Sequence, residues 1–229
     1  MIQTLNELWG QYFQFSLEHL FAGIGETLYM TLASTLFAYI IGLPMGILLI
    51  LCAPDGLWPN KVIFRILNIV TNIFRSVPFL LLIVIITPVT RAIIGTSLGS
   101  TATVVALVIS AAPFVARLVE SSLREVDKGV VEAAISMGAG NGKIVWKVLL
   151  GEALPSLING VTIAMTTILA YSAMAGAIGG GGLGDIAIQY GYYRYDTKTA
   201  IICVVLIVIL VQIIQVVGNA VSKAMDKRI

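Results

Sequence analysis

The sequence predicts an all-α integral membrane protein with five transmembrane helices, and three observations carry that prediction. Of its 229 residues, 58% are hydrophobic and 11% are charged, with a mean hydropathy of +0.97, whereas a soluble domain carries about a quarter charged residues. Uncharged windows recur that reach the roughly 20 residues a helix needs to cross a bilayer. Those windows are continuous apolar runs rich in Ile, Ala, Gly and Thr, unlike membrane-spanning strands, which alternate over about ten residues.

The first window is Thr27 to Leu51, and the second is Ile66 to Thr90, interrupted only by Arg75. The third lies within Ala92 to Ala116 and starts near Ser100, because Gly95 to Gly99 reads as a turn. The fourth falls in Leu157 to Ile178 and the fifth in Thr199 to Ser222. The expected spans are therefore 20–51, 63–90, 100–119, 157–178 and 199–222, in a single transmembrane domain of residues 1–229 with a loop at 120–156. Pro78 removes a backbone donor inside the second span and marks its bending point.

Lys and Arg are retained on the cytoplasmic side during insertion, so their placement sets orientation. Lys61 and Arg65 flank the first connection, Arg117, Arg124, Lys128, Lys143 and Lys147 lie on the third, and Lys223, Lys227 and Arg228 form the tail. Opposite these ten stand only three, Arg91, Arg194 and Lys198. The N-terminus is expected outside, with the C-terminus and the 120–156 loop in the cytoplasm. The first nineteen residues contain Glu7, Glu18 and His19 but no Lys or Arg, unlike the basic start of a cleaved signal peptide, so the N-terminus is expected to be retained.

Several functions are disfavoured by the same inventory. The net charge of +2 is small and its carriers are dispersed, so no nucleic-acid footprint is present. Cys52 and Cys203 sit in or beside apolar runs and read as small hydrophobes rather than a disulfide or metal pair. The single His19 and the lack of clustered intramembrane partners leave nothing for acid-base or nucleophilic chemistry. A secondary transporter working without ATP would need ion-coupling carboxylates near the midplane, and no span has Asp or Glu at its centre. Gly179-x-Gly181-x-x-Gly184 follows a span rather than a strand, so it reads as a tight extracytoplasmic loop that lets the backbone approach a partner, not as a dinucleotide fingerprint. Gly42-x-x-x-Gly46 and Gly176-x-x-x-Gly180 permit close helix crossing.

The 120–156 loop has its own pattern. Val126, Val130, Ala133, Ala134 and Met137 recur at helical spacing, closed by Gly138 and Gly140. A second amphipathic piece follows, with Ile144, Val145, Val148 and Leu149 on one face and Lys143 and Lys147 on the other. Two readings fit this pattern: an interfacial segment joining two spans, or a short helix held out to dock into another protein. Arg75 likewise has two readings, an intramembrane functional group or a side chain snorkelling to the interface, since Arg65 lies only about 15 Å away along a helix. Met165, Tyr171, Ser172 and Met174 are candidates to line a path or gate, with core packing as the alternative.

The segment Glu132-Ala133-Ala134, with Gly138, Val148 and Leu150 at their offsets, resembles the cytoplasmic signature of permease subunits in binding-protein-dependent ABC importers. Gly151 stands where that pattern has Pro, and Asn141 where relatives often have Pro. From about Gly25 onward the chain is similar to the methionine-uptake branch of the family, through Glu26-Thr27-Leu28, Asn72 to Phe79, Ala111-Ala112-Pro113-Phe114 and Tyr171-Ser172-Ala173-Met174. Gly181-Gly182-Leu183-Gly184 and Gln189-Tyr190-Gly191-Tyr192 extend the similarity.

The resemblance implies a type I ABC importer permease fold with a cytoplasmic coupling helix, in a bacterial inner membrane. It implies a homodimer of this chain, two cytoplasmic ATPase subunits and an extracytoplasmic methionine-binding lipoprotein. Glu132, Ala133, Ala134, Met137 and Gly138 are the residues it assigns to ATPase coupling. Arg75, Pro78, Met165, Tyr171, Ser172 and Met174 remain the path or gate candidates. No cofactor is expected in this chain; ATP and magnesium belong to the partner ATPase. Consistent with that, a Walker loop at Gly138 to Lys143 fails, because Met137 occupies the first Gly position and Ile144 the hydroxyl position. An importer permease for another small amino acid or osmolyte is the alternative.

Overall fold

A computed structural model describes residues 17–225. Residues 1–16, most of the expected retained N-terminus, and the tail cations Lys227 and Arg228 lie outside the described residues. Among the described residues every regular element is helical. In chain order these are α1 (Leu17–Leu51), α2 (Lys61–Ser76), α3 (Phe79–Ile94), α4 (Ser100–Arg124), α5 (Lys128–Ser136) and α6 (Asn141–Lys143). There follow a π-helical stretch at Ile144–Leu149, α7 (Leu150–Glu152), α8 (Leu154–Ala175) continuing as a 3-10 turn at Gly176–Ile178, α9 (Gly182–Ile186), a second π-helical stretch at Ala187–Tyr192, and α10 (Thr197–Met225). The helices α1, α4, α8 with its 3-10 turn, and α10 are each long and apolar enough to cross a membrane, and the bent pair α2 and α3 is a fifth candidate if counted as one span.

The segment expected as one span at 63–90 is thus two helices. Pro78 has no N–H to donate, and its ring disfavours the α region for the preceding residue. Val77 accordingly takes extended values of φ −83° and ψ 125°, and ends α2. A kink would have kept the helix running, whereas here the helical hydrogen bonding restarts, with the amides of Leu81 and Leu82 donating to the Pro78 carbonyl.

The residues group into two compact units. One comprises described residues 17–35, 78–109 and 165–214. Its core contains Leu20, Leu183, Ile186 and Cys203, with Ile24 and Tyr190 packed against them. Along α1, the buried hydroxyls of Thr27, Thr31 and Thr35 donate to the carbonyls four residues earlier at 2.7 to 2.8 Å, which satisfies their hydrogens within the helix itself. The glycine-rich run folds back on the same unit: the Gly99 amide donates to the Gly179 carbonyl at 2.9 Å, and Thr103 Oγ1 donates to the Gly180 carbonyl at 3.2 Å.

The other unit comprises described residues 36–77, 110–164 and 215–225. Here the predicted small-residue crossing is realised. A Cβ on Gly42 would stand 2.7 Å from Val115 Cγ1, and one on Gly46 would stand 2.6 Å from the Ala116 carbonyl oxygen, so only glycine lets α1 approach α4 this closely. Near its end α10 packs Gly218 against Thr162 of α8, and Ser222 Oγ donates to the Pro155 carbonyl at 2.9 Å.

Candidate functional site

Helix α5 follows α4 after three residues and is closed at both ends by local chemistry. Asp127 is its N-cap, its carboxylate accepting from the Gly129 amide at 2.6 Å. At the other end Gly138 adopts φ +75°, and the Ala139 amide reaches back to the Ala134 carbonyl at 3.0 Å; that left-handed turn strains any residue with a Cβ. The element is a built helix of nine residues, not a frayed connection.

Its stripe is only partly covered. Ala134 is buried, and Val126 just before the helix is buried, but Val130 and Ile135 are 43% and 49% exposed and Met137 is 80% exposed. Glu132 and Ala133 are exposed beside them. A cavity of about 560 Å³ lies alongside, lined among others by Leu51, Leu57, Leu123, Val131, Glu132 and Ile135. The Lys128 to Asp55 ion pair at its rim is long, 3.8 Å, and both side chains are exposed, so it adds little. In the segment after α5, Ile144, Val145 and Leu149 are buried while Lys143, Trp146 and Lys147 face outward. The chain stays helical through Gly151, where proline would remove a donor.

One polar cluster of the same unit is absent from the sequence reading, which counted Arg117 and Arg124 as loop cations. Both lie on α4. Glu120, 6% exposed, accepts from Arg117 Nη1 at 2.7 Å and from Arg124 Nη2 at 2.9 Å, and Arg117 Nη2 donates to Asn68 Oδ1 at 2.5 Å and Asn72 Oδ1 at 3.1 Å. The i, i+3 and i+4 spacing of Arg117, Glu120 and Arg124 was the available signal.

The path candidates fall in different places. Arg75 is exposed in the last turn of α2. In the other unit, Pro78 immediately precedes Phe79, whose ring stacks on Tyr171 with centroids 4.6 Å apart and planes 3° off parallel. Ser172 is 1% exposed, and its hydroxyl donates to the Leu169 carbonyl at 2.8 Å. Met165 is half-buried and Met174 is 46% exposed. The glycine-rich loop meets α1: the Gly182 amide donates to Glu26 Oε2 at 2.7 Å and the Leu183 amide to Thr27 Oγ1 at 2.9 Å. Beside it, burial pushes the Asp185 carboxyl above its ordinary range; a Gln189 hydrogen bond opposes this, Glu26 adds to it, and His19 opposes it. Both cysteines are free and buried.

Residues 42–229 match the family described as binding-protein-dependent transport system inner membrane component. The chain belongs to that family. With its apolar helices it is a multi-pass membrane protein and a transport permease subunit of the ABC importer class, and the matched residues include α5 and its Glu-Ala-Ala run. The permease is 49% identical over 218 residues to the MetI protein of Vibrio cholerae, covering 95% of this chain and 97% of that one. It is 46% identical over 203 residues to the methionine import system permease protein MetP of Bacillus subtilis, covering 89% and 91%. A solved structure of inward-facing conformations of the MetNI methionine ABC transporter aligns with TM-score 0.90 and 46% identity over 92% of this chain and 98% of that one. A structure of an amino acid ABC transporter with histidines, 18% identical, aligns with TM-score 0.77 over 98% of each chain and shares the fold.

Proposed function

We propose that this chain is the membrane subunit of an ATP-driven importer of methionine, the L and the D enantiomer, with residues 1–229 acting as one permease domain. A homodimer of the chain forms one translocation path in the bacterial inner membrane, with N-termini outside and C-termini in the cytoplasm. Two cytoplasmic ATPase subunits hold ATP and magnesium, and an extracytoplasmic methionine-binding lipoprotein delivers the substrate. The chain itself performs no chemistry. The observation that carries this reading is the uncovered face of α5, where Val130, Ala133 and Met137 stand exposed beside Glu132 on a helix capped at both ends. A helix so completed is rigid enough to transmit force and presents a surface suited to a cleft in another protein.

In this mechanism α5 sits in the ATPase through Glu132, Ala133, Ala134, Met137 and Gly138. ATP-driven closure of the ATPase pair moves the two copies of α5 together, the spans switch from inward-facing to outward-facing, and hydrolysis resets them. ATP acts by binding the closed ATPase pair better than the open one, and α5 links that closure to one packing of the spans. Arg75, Pro78, Met165, Tyr171, Ser172 and Met174 contribute to the path or its gate, with the Pro78 break beside the Phe79 and Tyr171 stack as the bending point. The test is uptake of labelled methionine into vesicles containing the permease, its ATPase and its binding protein, with each component omitted in turn. The reading expects uptake only when all three and ATP are present; uptake by this chain alone would overturn it.

A further inference from the structure

Helix α4 leads into α5 after only three residues, so a displacement of α5 reaches the last turns of α4 directly. Those turns carry Arg117, Glu120 and Arg124. Both carboxylate oxygens of the buried Glu120 are engaged, Oε2 by Arg117 and Oε1 by Arg124. The engagement fixes the Arg117 guanidinium with Nη2 facing α2, where it donates to the side-chain oxygens of Asn68 and Asn72, one helical turn apart. Asn68 is itself held, because its Nδ2 donates to the Phe64 carbonyl at 3.0 Å and so turns its oxygen toward the cation. Around this clamp the contacts of α2 are sparse: Thr71 is its buried residue, and Val62, Ile66, Ile69 and Ile73 stand more than half exposed along one stripe. Apolar packing alone lets helices slide, whereas charge-assisted hydrogen bonds are directional.

We propose that Arg117 is a positioning residue of the transport cycle, whose guanidinium, held by Glu120, passes the displacement of α5 and α4 to α2 through Asn68 and Asn72. This rests on the coupling role proposed for α5. The clamp belongs to transmission, not to substrate binding, so its loss separates ATP turnover from transport.

The test is methionine uptake per ATP hydrolysed, measured on the complete complex of permease, ATPase and binding protein in vesicles. The double variant Asn68→Ala/Asn72→Ala is expected to lower uptake about tenfold while hydrolysis stays within about twofold. Arg117→Ala should do the same, and the triple variant should lose no more than either alone, since all three act through one connection. Asn72→Asp, which keeps an oxygen acceptor for the Arg117 guanidinium, should retain coupled uptake. An unchanged ratio in Asn68→Ala/Asn72→Ala, losses that multiply in the triple variant, or parallel loss of uptake and hydrolysis would each overturn the clamp. Should Arg117→Ala fail to assemble, the asparagine variants settle the matter on their own. Uptake that survives Glu132→Arg would bring down the coupling role of α5 and the clamp with it; uptake lost in Glu132→Arg but unaffected by the asparagine variants would bring down the clamp alone.

Discussion

Helices α5 and α9 are both short and both bordered by glycines with positive φ, yet they are finished in opposite ways. Helix α9 is completed from within its unit: Gly182, Leu183, Gly184 and Ile186 are buried, and the first amides of the helix donate to Glu26 and Thr27 of α1. Helix α5 has its own N-cap and glycine stop but keeps Val130, Ile135 and Met137 exposed. A carboxylate acceptor and a packed core make α9 a structural joint. Under the function proposed above, what completes α5 is the partner ATPase.

That contrast breaks most visibly at Glu132. Glu132→Arg is expected to weaken assembly with the ATPase by roughly 30-fold, as for a central interface residue, while leaving the thermal midpoint of the isolated permease unchanged because the side chain is exposed. Pull-down titration beside a melting curve checks both halves. At the other helix the signs reverse. Gly176→Ala drives a Cβ into the backbone of Gly184 and Asp185 and should destabilise the permease by about 1–3 kcal/mol, with ATPase affinity unchanged for the folded fraction; detergent melting and the same titration read the two effects. Glu26→Ala removes the acceptor for the Gly182 amide and should cost about 1 kcal/mol in the same melting assay.

The smallest effect sharpens the comparison through pH. Burial holds the Asp185 carboxyl above its ordinary range, so folding favours its protonated form. That contribution is fully present below the unfolded-state value and is lost as pH rises through the raised native value. Asp185→Asn should therefore raise the melting midpoint slightly at neutral pH, with the gain vanishing below the ordinary carboxylate range. A gain independent of pH would point to altered packing instead.

Much of this architecture was legible because it depends on local chemistry. Long apolar windows become long helices, Gly138 ends α5 at φ +75°, and the Gly42 and Gly46 spacing brings α1 against α4. The break at Val77 was less legible: Pro78 announces a bend, but whether the helix resumes in line after it depends on tertiary packing. The glycine-rich loop, which the sequence marks as able to let its backbone approach a partner, also meets Glu26 of its own chain, 156 positions away, a contact that only the tertiary fold brings about. The Arg117 cluster was hidden for a similar reason. Its cations read as loop charges until α4 is seen to run to Arg124 and Asn68 is brought within reach.

The central claim is that a partner ATPase covers the exposed face of α5, and Met137, 80% exposed, is where to test it. Met137→Cys would carry an accessible thiol while the native Cys52 and Cys203 stay buried, so the rate of maleimide labelling reports this position. Labelling that is fast in the permease alone and strongly slowed when the ATPase is bound is the predicted result. Labelling at the same rate in both states, with the complex intact, would contradict the account.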